Sequence, residues 1–264
     1  MRGERSSRDS FFLIYSSALL VLVLLGFAPT FFFRFLIQDP LPITGSLVLH
    51  GVVLTGWFLL FVVQAGLIRQ ENRSLHRTVG YVSVGYGVVV VAGALLAPVA
   101  RVGRLQDLGA TLDMDIARVM ALDSGLGAEE AGTVTPFGVS AIEAMSGQMW
   151  GFVVSLTGFA VLFGAAVLFR RRVDVHKRLM ALASLLILPP ALARIARWPF
   201  LGGENGPFGP IAVATLVATL IMYDVSTRGK PHVATVVGGI VVFAEWLVPI
   251  SDTEFWQPLF RWFA

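Results

Sequence analysis

Residues 145–172 read MSGQMWGFVVSLTGFAVLFGAAVLFRRR. Residues 145–169 contain no charge, and three consecutive arginines follow. A helix rises about 1.5 Å per residue, so about 20 apolar residues cross the hydrocarbon of a bilayer. The stretch therefore reads as a membrane crossing stopped by a basic loop. Working outward, six more apolar runs of this kind lie near 11–37, 43–68, 78–100, 177–198, 208–226 and 233–250. The whole chain is 56% hydrophobic and 14% charged, against roughly 45–50% and 25% for soluble domains.

The runs are too continuous for outer-membrane strands, which alternate over about ten residues. The expected fold is all-α, a polytopic membrane bundle of about seven transmembrane helices forming one domain over 1–264. The N-terminus begins like a signal peptide, but its apolar run exceeds the roughly 7–15 residues of a cleavable core, so it reads as a retained first helix.

Basic residues set the orientation, because loops rich in Lys and Arg stay cytoplasmic. Arg2, Arg5, Arg8, Arg69, Arg73, Arg77, Arg170, Arg171, Arg172, Lys177, Arg178, Arg228 and Lys230 all fall on one side of a seven-helix topology. Most acids, including Asp113, Asp115, Glu129 and Glu130, fall on the other. The reading is N-terminus inside, C-terminus outside, in the cell inner membrane. The net charge of +3 then reflects attraction to anionic lipid at the cytoplasmic face, and nucleic acid is discarded as a partner.

With no cysteine, thiol nucleophiles, disulfides, thiolate metal sites and covalent haem attachment are excluded. Any metal or haem must use His, Met or carboxylate. The outer loop 101–144 has a pattern around Leu112 to Leu122 that suits a short amphipathic helix, and Thr135–Pro136 looks like a helix start. The loop reads as a connector, or as a lid over an outward cavity. Gly147, Gly151 and Ser155 form a small-residue face for close helix approach.

A repeat shows faintly. Thr55, Gly56, Trp57 and Phe61 match Thr157, Gly158, Phe159 and Phe163, and each run leads through a basic loop to His76-Arg77 or His176-Lys177. Duplicated helix pairs often carry sites at their interface; chance similarity between apolar segments competes with that reading.

His50, Trp57, Gln64, Leu75, His76, Arg77 and Gly80 are one set of marks. His176-Lys177-Arg178-Leu179-Met180 is a second, and Tyr223, Asp224, Thr227, Arg228, Gly229, Lys230 and His232 are a third. Together they resemble a family of bacterial multi-pass membrane proteins of no settled activity, over the chain from about residue 45 to Trp262. The family pattern has proline where Val233 stands and arginine where Lys230 stands. The resemblance implies a topology and picks out residues, without implying a reaction.

Ionisable groups in a bilayer are costly and mark candidate sites. An inner layer gathers His76, His176 and His232 at helix starts with Gln64, Arg77, Tyr223 and Asp224 nearby. Helix N-termini favour neutral imidazole, the form that binds metal or haem iron. These histidines therefore suit a metal or a b-type haem, although bonding lipid phosphate or capping a helix is the commoner use of a histidine at a membrane boundary.

An outer layer holds His50, Arg194, Arg197, Glu245 and Gln148. Arg194 and Arg197 lie 18 and 21 residues beyond His176, and a carboxylate at Glu245 needs a partner such as Arg194. This layer suits a quinone head group or an anion. His50 with Met145 and Met149 suits copper, although methionine in an apolar helix usually packs. Pro189 and Pro190 should kink the fifth helix.

Four functions compete: redox or cofactor handling with haem, metal or quinone; transport of a small anion or proton; a non-catalytic assembly or scaffold subunit in a membrane complex; and, with least support, a membrane hydrolase. No zinc-binding helix or nucleophile elbow supports the last.

Overall fold

The computed structural model describes residues 2–36, 43, 45–123, 128–198, 207–244 and 254–264. Within these the chain is helical: α1 Arg2–Phe27, α2 Gly45–Arg69, α3 Arg73–Asp107, α4 Ile116–Asp123, α5 Ala128–Thr133, α6 Ala141–Leu168, α7 Val173–Leu186, α8 Pro189–Ala196, α9 Phe208–Arg228, α10 Val233–Phe243 and α11 Gln257–Phe263. Five helices are long and apolar enough to cross a membrane, and the bent pair α7–α8 makes a sixth. The seventh expected run is represented by the shorter apolar helix α10; residues 245–250 of that run lie outside the described residues.

Residue spacing decides which faces are buried. On α1, Tyr15, Leu19 and Val23 recur every fourth position and are buried. On α9, Val213, Val217, Leu220 and Asp224 share one buried face, so the carboxylate of Asp224 is carried inward by its apolar neighbours. Almost every residue of α7 from Arg178 onward is buried, as expected of a helix that is apolar on all sides and sits centrally. Outward faces stay apolar: Val82, Val88, Met222 and Ile240 are all exposed. That is the surface a bilayer covers.

The double proline does what its chemistry requires. α7 ends at Leu186, α8 opens on Pro189–Pro190, and the two are bent by 48°. At the opposite end of the bundle from the basic loops, α1 runs into a π-helical turn, Ala28–Phe32, with Pro29 in its first turn. Gly26 lets α1 approach the backbone of α8, because a Cβ there would lie 2.9 Å from Ala191 Cα. Gly151 has open space beside it, so the small face expected on α6 is not a packing seam at that position.

The 101–144 segment is a packed layer. α3 continues to Asp107, and Val102, Leu105, Leu112 and Val119 form a second apolar cluster with Met145, Met149 and Phe260 of α11. α6 does not start at Thr135–Pro136. It starts after Ser140, whose side chain forms a capping box with Glu143, a stronger N-terminal signal than the Thr-Pro pair. Asp115 holds the preceding turn, accepting from the backbone N–H of Phe137 and Gly138 at 3.1 and 2.8 Å.

Candidate functional site

The hairpins α2–α3 and α6–α7 repeat the same contacts. Positions before the connecting loop correspond with an offset of 102, and positions after it with an offset of 100. A Cβ at Gly56 would meet the Tyr86 hydroxyl; at Gly158 it would meet Leu186 Cδ1 at 3.0 Å. Under those offsets the two glycines are equivalent, and so are the two residues they face. The His176 ring bonds through Nδ1 to the Ala166 carbonyl at 2.8 Å. The His76 ring meets the side-chain amide of Gln64, the position equivalent to Ala166, at 2.6 Å from Nδ1.

Equivalent residues that touch each other lie on the axis relating two repeats. Trp57 and Phe159 are such a pair, with ring centroids 5.0 Å apart, and Trp57 also meets Phe163 at 5.2 Å. His76 and His176 are another, at 6.5 Å with the rings nearly perpendicular. Both basic loops therefore sit at one end of the bundle and the axis runs along the helices. The histidine pair lies at that end, half-buried, with Trp57 buried deeper and its Nε1 donating to Ser184 Oγ at 3.1 Å.

The third histidine is used elsewhere. The His232 side chain caps α10, its Nδ1 accepting from the Ala234 N–H at 3.0 Å. Its own backbone N–H donates to Asp224 Oδ2 at 3.0 Å. Asp224 is fully buried, as is Arg178, which donates to Asp224 Oδ1 through Nε at 2.7 Å and through Nη2. Thr235 Oγ1 donates to the other carboxylate oxygen. This knot ties α7, α9 and α10 together. Arg178 also donates to the Asp174 carbonyl at 2.7 Å, and Arg228 reaches the Asp174 carboxylate at 3.2 Å.

Tyr223 packs beside the knot, stacked on Phe11 at 4.0 Å, with Lys177 Nζ 3.5 Å from its hydroxyl. Arg77, by contrast, is an exposed side chain on α3. So the expected inner layer divides in two. His76, His176 and Gln64 form one group on the repeat axis; Tyr223, Asp224 and His232 form another around Arg178. Sequence reasoning passed over Arg178 as a site residue. Its signal was available: a guanidinium two residues beyond His176, at the start of the apolar run Leu179 to Leu188.

The outer layer is looser. His50 donates from Nδ1 to the Gly93 carbonyl at 3.0 Å, a bond whose acceptor is a carbonyl and which therefore places the proton on Nδ1. The ring lines a small apolar cleft of about 20 Å³ with Phe27, Phe31, Thr55, Phe58 and Pro190. The Arg194 guanidinium lies 4.3 Å from the Phe27 ring centroid and folds back on the Pro190 carbonyl at 2.9 Å. Arg101 and Arg197 are within electrostatic reach of it, and Arg101 donates to Gln148. Glu245 lies outside the described residues. Met145 and Met149 are buried in the second apolar cluster, among Val102, Leu105 and Phe260. They serve packing there, and the copper donor set of His50 with two methionines is not assembled.

Compared with family models, curated proteins and solved structures, the chain matches none.

Proposed function

We propose that this chain is an inner-membrane protein that handles a metal or redox cofactor, held at the cytoplasmic end of the bundle between its two repeated hairpins. The observation that carries the reading is the His76–His176 pair, two rings 6.5 Å apart on the repeat axis, His176 fixed by its bond to the Ala166 carbonyl and His76 set against the Gln64 amide. Ligating imidazoles are typically oriented by such a bond to a carbonyl, which fixes the tautomer and leaves the other nitrogen for the metal. A lipid-anchoring histidine has no need of a partner histidine on the axis. The surrounding arginines serve anionic lipid headgroups. The test is an oxidised and reduced absorption spectrum of detergent-purified protein, with metal analysis and lipid extraction for quinone. Bound cofactor is expected; colourless, metal-free and quinone-free protein would overturn the reading.

A second reading is transport of a small anion or proton. It is favoured by the parallel repeat and by the 48° break of α7–α8 beside Arg194, since transporters place sites at repeat interfaces and broken helices. Flux in proteoliposomes that Arg194→Ala leaves unchanged would remove it.

A further inference from the structure

At the end of the bundle away from the basic loops, three arginines from α3 and α8 converge. Arg194 lies on α8, its guanidinium 4.3 Å from the Phe27 ring centroid and its Nη1 donating to the Pro190 carbonyl at 2.9 Å. Arg197, three residues on and so on the same helical face, and Arg101 of α3 are both within electrostatic reach of it. A guanidinium keeps its proton in a protein, so the three carry like charges that repel. The Phe27 ring attracts the Arg194 cation through its quadrupole and leaves the charge in place. Three of the carboxylates at this end are committed elsewhere. Asp113 pairs with Arg261 at 2.8 Å, Asp115 accepts from the backbone N–H of Phe137 and Gly138, and Glu143 completes the capping box of α6.

The side chains here are rich in donors. Each guanidinium has five N–H groups, and the Pro190 carbonyl takes one of those on Arg194. Arg101 donates to Gln148 Oε1 of α6, so the Gln148 amide presents its nitrogen, with two more N–H groups, on its other side. Arg101, Arg197 and Gln148 are exposed and Arg194 is half-buried, which leaves the group open to a ligand.

Depth narrows the anion. Arg101 lies 24 residues beyond Arg77 on the single helix α3, or about 36 Å, past the roughly 30 Å of hydrocarbon. Arg194 lies 18 residues beyond His176, about 27 Å along α7–α8 before the 48° bend shortens the path. The guanidiniums therefore bracket the boundary between hydrocarbon and headgroups in the far leaflet, the level at which phospholipids carry phosphate. The planar fork of arginine matches the oxygens of that group.

We propose that Arg101, Arg194 and Arg197, with Gln148, form a binding site for a phosphate-type oxyanion between α3, α6 and α8. A phospholipid headgroup and free phosphate share this chemistry. Binding involves no covalent step; it offsets the mutual repulsion of three cations by their attraction to one anion. The site is independent of the cofactor at the opposite end, and of whether an anion crosses the membrane.

The experiment follows the thermal midpoint of the detergent-purified full chain by tryptophan fluorescence at fixed ionic strength, since a ligand of the folded state raises the midpoint saturably. The probes are inorganic phosphate, phosphatidylglycerol in mixed micelles, and diacylglycerol with the same chains but no phosphate. A saturable rise with phosphatidylglycerol and none with diacylglycerol is expected. Arg101→Gln and Arg194→Gln should each raise the concentration needed for half the shift about 10–100-fold, the worth of one charge-assisted hydrogen bond. Arg261→Ala, at the same end but paired with Asp113, should leave it unchanged. Should Arg194→Gln fail to fold, Arg101→Gln and Arg197→Gln, both altering exposed side chains, carry the test. A response to phosphatidylglycerol alone assigns the site to a lipid headgroup, and a response to inorganic phosphate as well opens it to the soluble anion. No response to either probe overturns the site. So does an equal rise with diacylglycerol, or a loss in Arg261→Ala as large as in the other variants. Failure here leaves cofactor handling standing, because that reading concerns the other end of the bundle.

Discussion

Replacing Asp224 with alanine should be the most damaging single change at the basic end. Asp224 is 0% exposed and accepts from Arg178 Nε, Arg178 Nη2, the His232 N–H and Thr235 Oγ1; Arg178 is 1% exposed. Removing the carboxylate leaves a buried guanidinium whose remaining counter-charge is the exposed Asp174 carboxylate at 3.5 Å. Breaking a buried pair in this way costs about 3–5 kcal/mol. At 1.4 kcal/mol per tenfold, that is roughly two to four powers of ten in the folding equilibrium. Exchanging both partners for apolar residues, Arg178→Met with Asp224→Leu, is often close to neutral because no charge is stranded. The assay is denaturation of the detergent-solubilised protein by a harsh detergent, followed by helical circular dichroism. A large loss in Asp224→Ala, mostly recovered in the double variant, is expected. An unshifted midpoint in Asp224→Ala, or a double variant no more stable than the single, would refute the reasoning.

The remaining predictions probe other contacts. Burial holds the His232 imidazole below its ordinary value, assisted by the charges of Arg178 and Arg228 and opposed by Asp224 and Asp174. A depressed folded pKa means the unfolded chain takes up the proton first. The stabilising neutral cap is therefore complete above about pH 6.5 and is lost as pH falls through the folded value. His232→Asn keeps an acceptor that does not titrate, so its stability should fall less than the parent's on acidification, with about 1 kcal/mol of capping at stake; equal pH profiles would contradict this. Gly26→Ala drives a methyl group into the α8 backbone at Ala191 and should cost about 1–3 kcal/mol, read as a lower thermal midpoint. Arg261→Ala removes an exposed ion pair with Asp113 and should leave that midpoint in place.

Hydropathy made the all-helical, membrane-spanning character of the fold legible, because the bilayer requires continuous apolar helices. Pro189–Pro190 announced the bend, and the paired motifs around Trp57 and Phe159 announced the two hairpins. The division of the inner layer was not legible. Equal depth in the membrane placed His232 with His76 and His176, but depth carries no angular information. His232 follows the left-handed Gly229, and its ring turns back to cap α10. Arg178 was hidden for a related reason, since a basic residue near a helix start reads as a lipid anchor until Asp224 is seen to arrive on the buried face of α9. In the outer layer, His50 and Arg194 come within electrostatic reach of each other. Depth could not show that Met145 and Met149 turn into a separate cluster with the C-terminal helix.

The most direct test of cofactor handling on the repeat axis compares cofactor content across the three histidines. Each is replaced by alanine, and bound metal, haem and quinone are measured per folded chain. The expected result is that His76→Ala and His176→Ala both lose the bound species while His232→Ala keeps it, because only the first two rings face each other across the axis. Equal loss from all three, or retention in His76→Ala and His176→Ala, would contradict it.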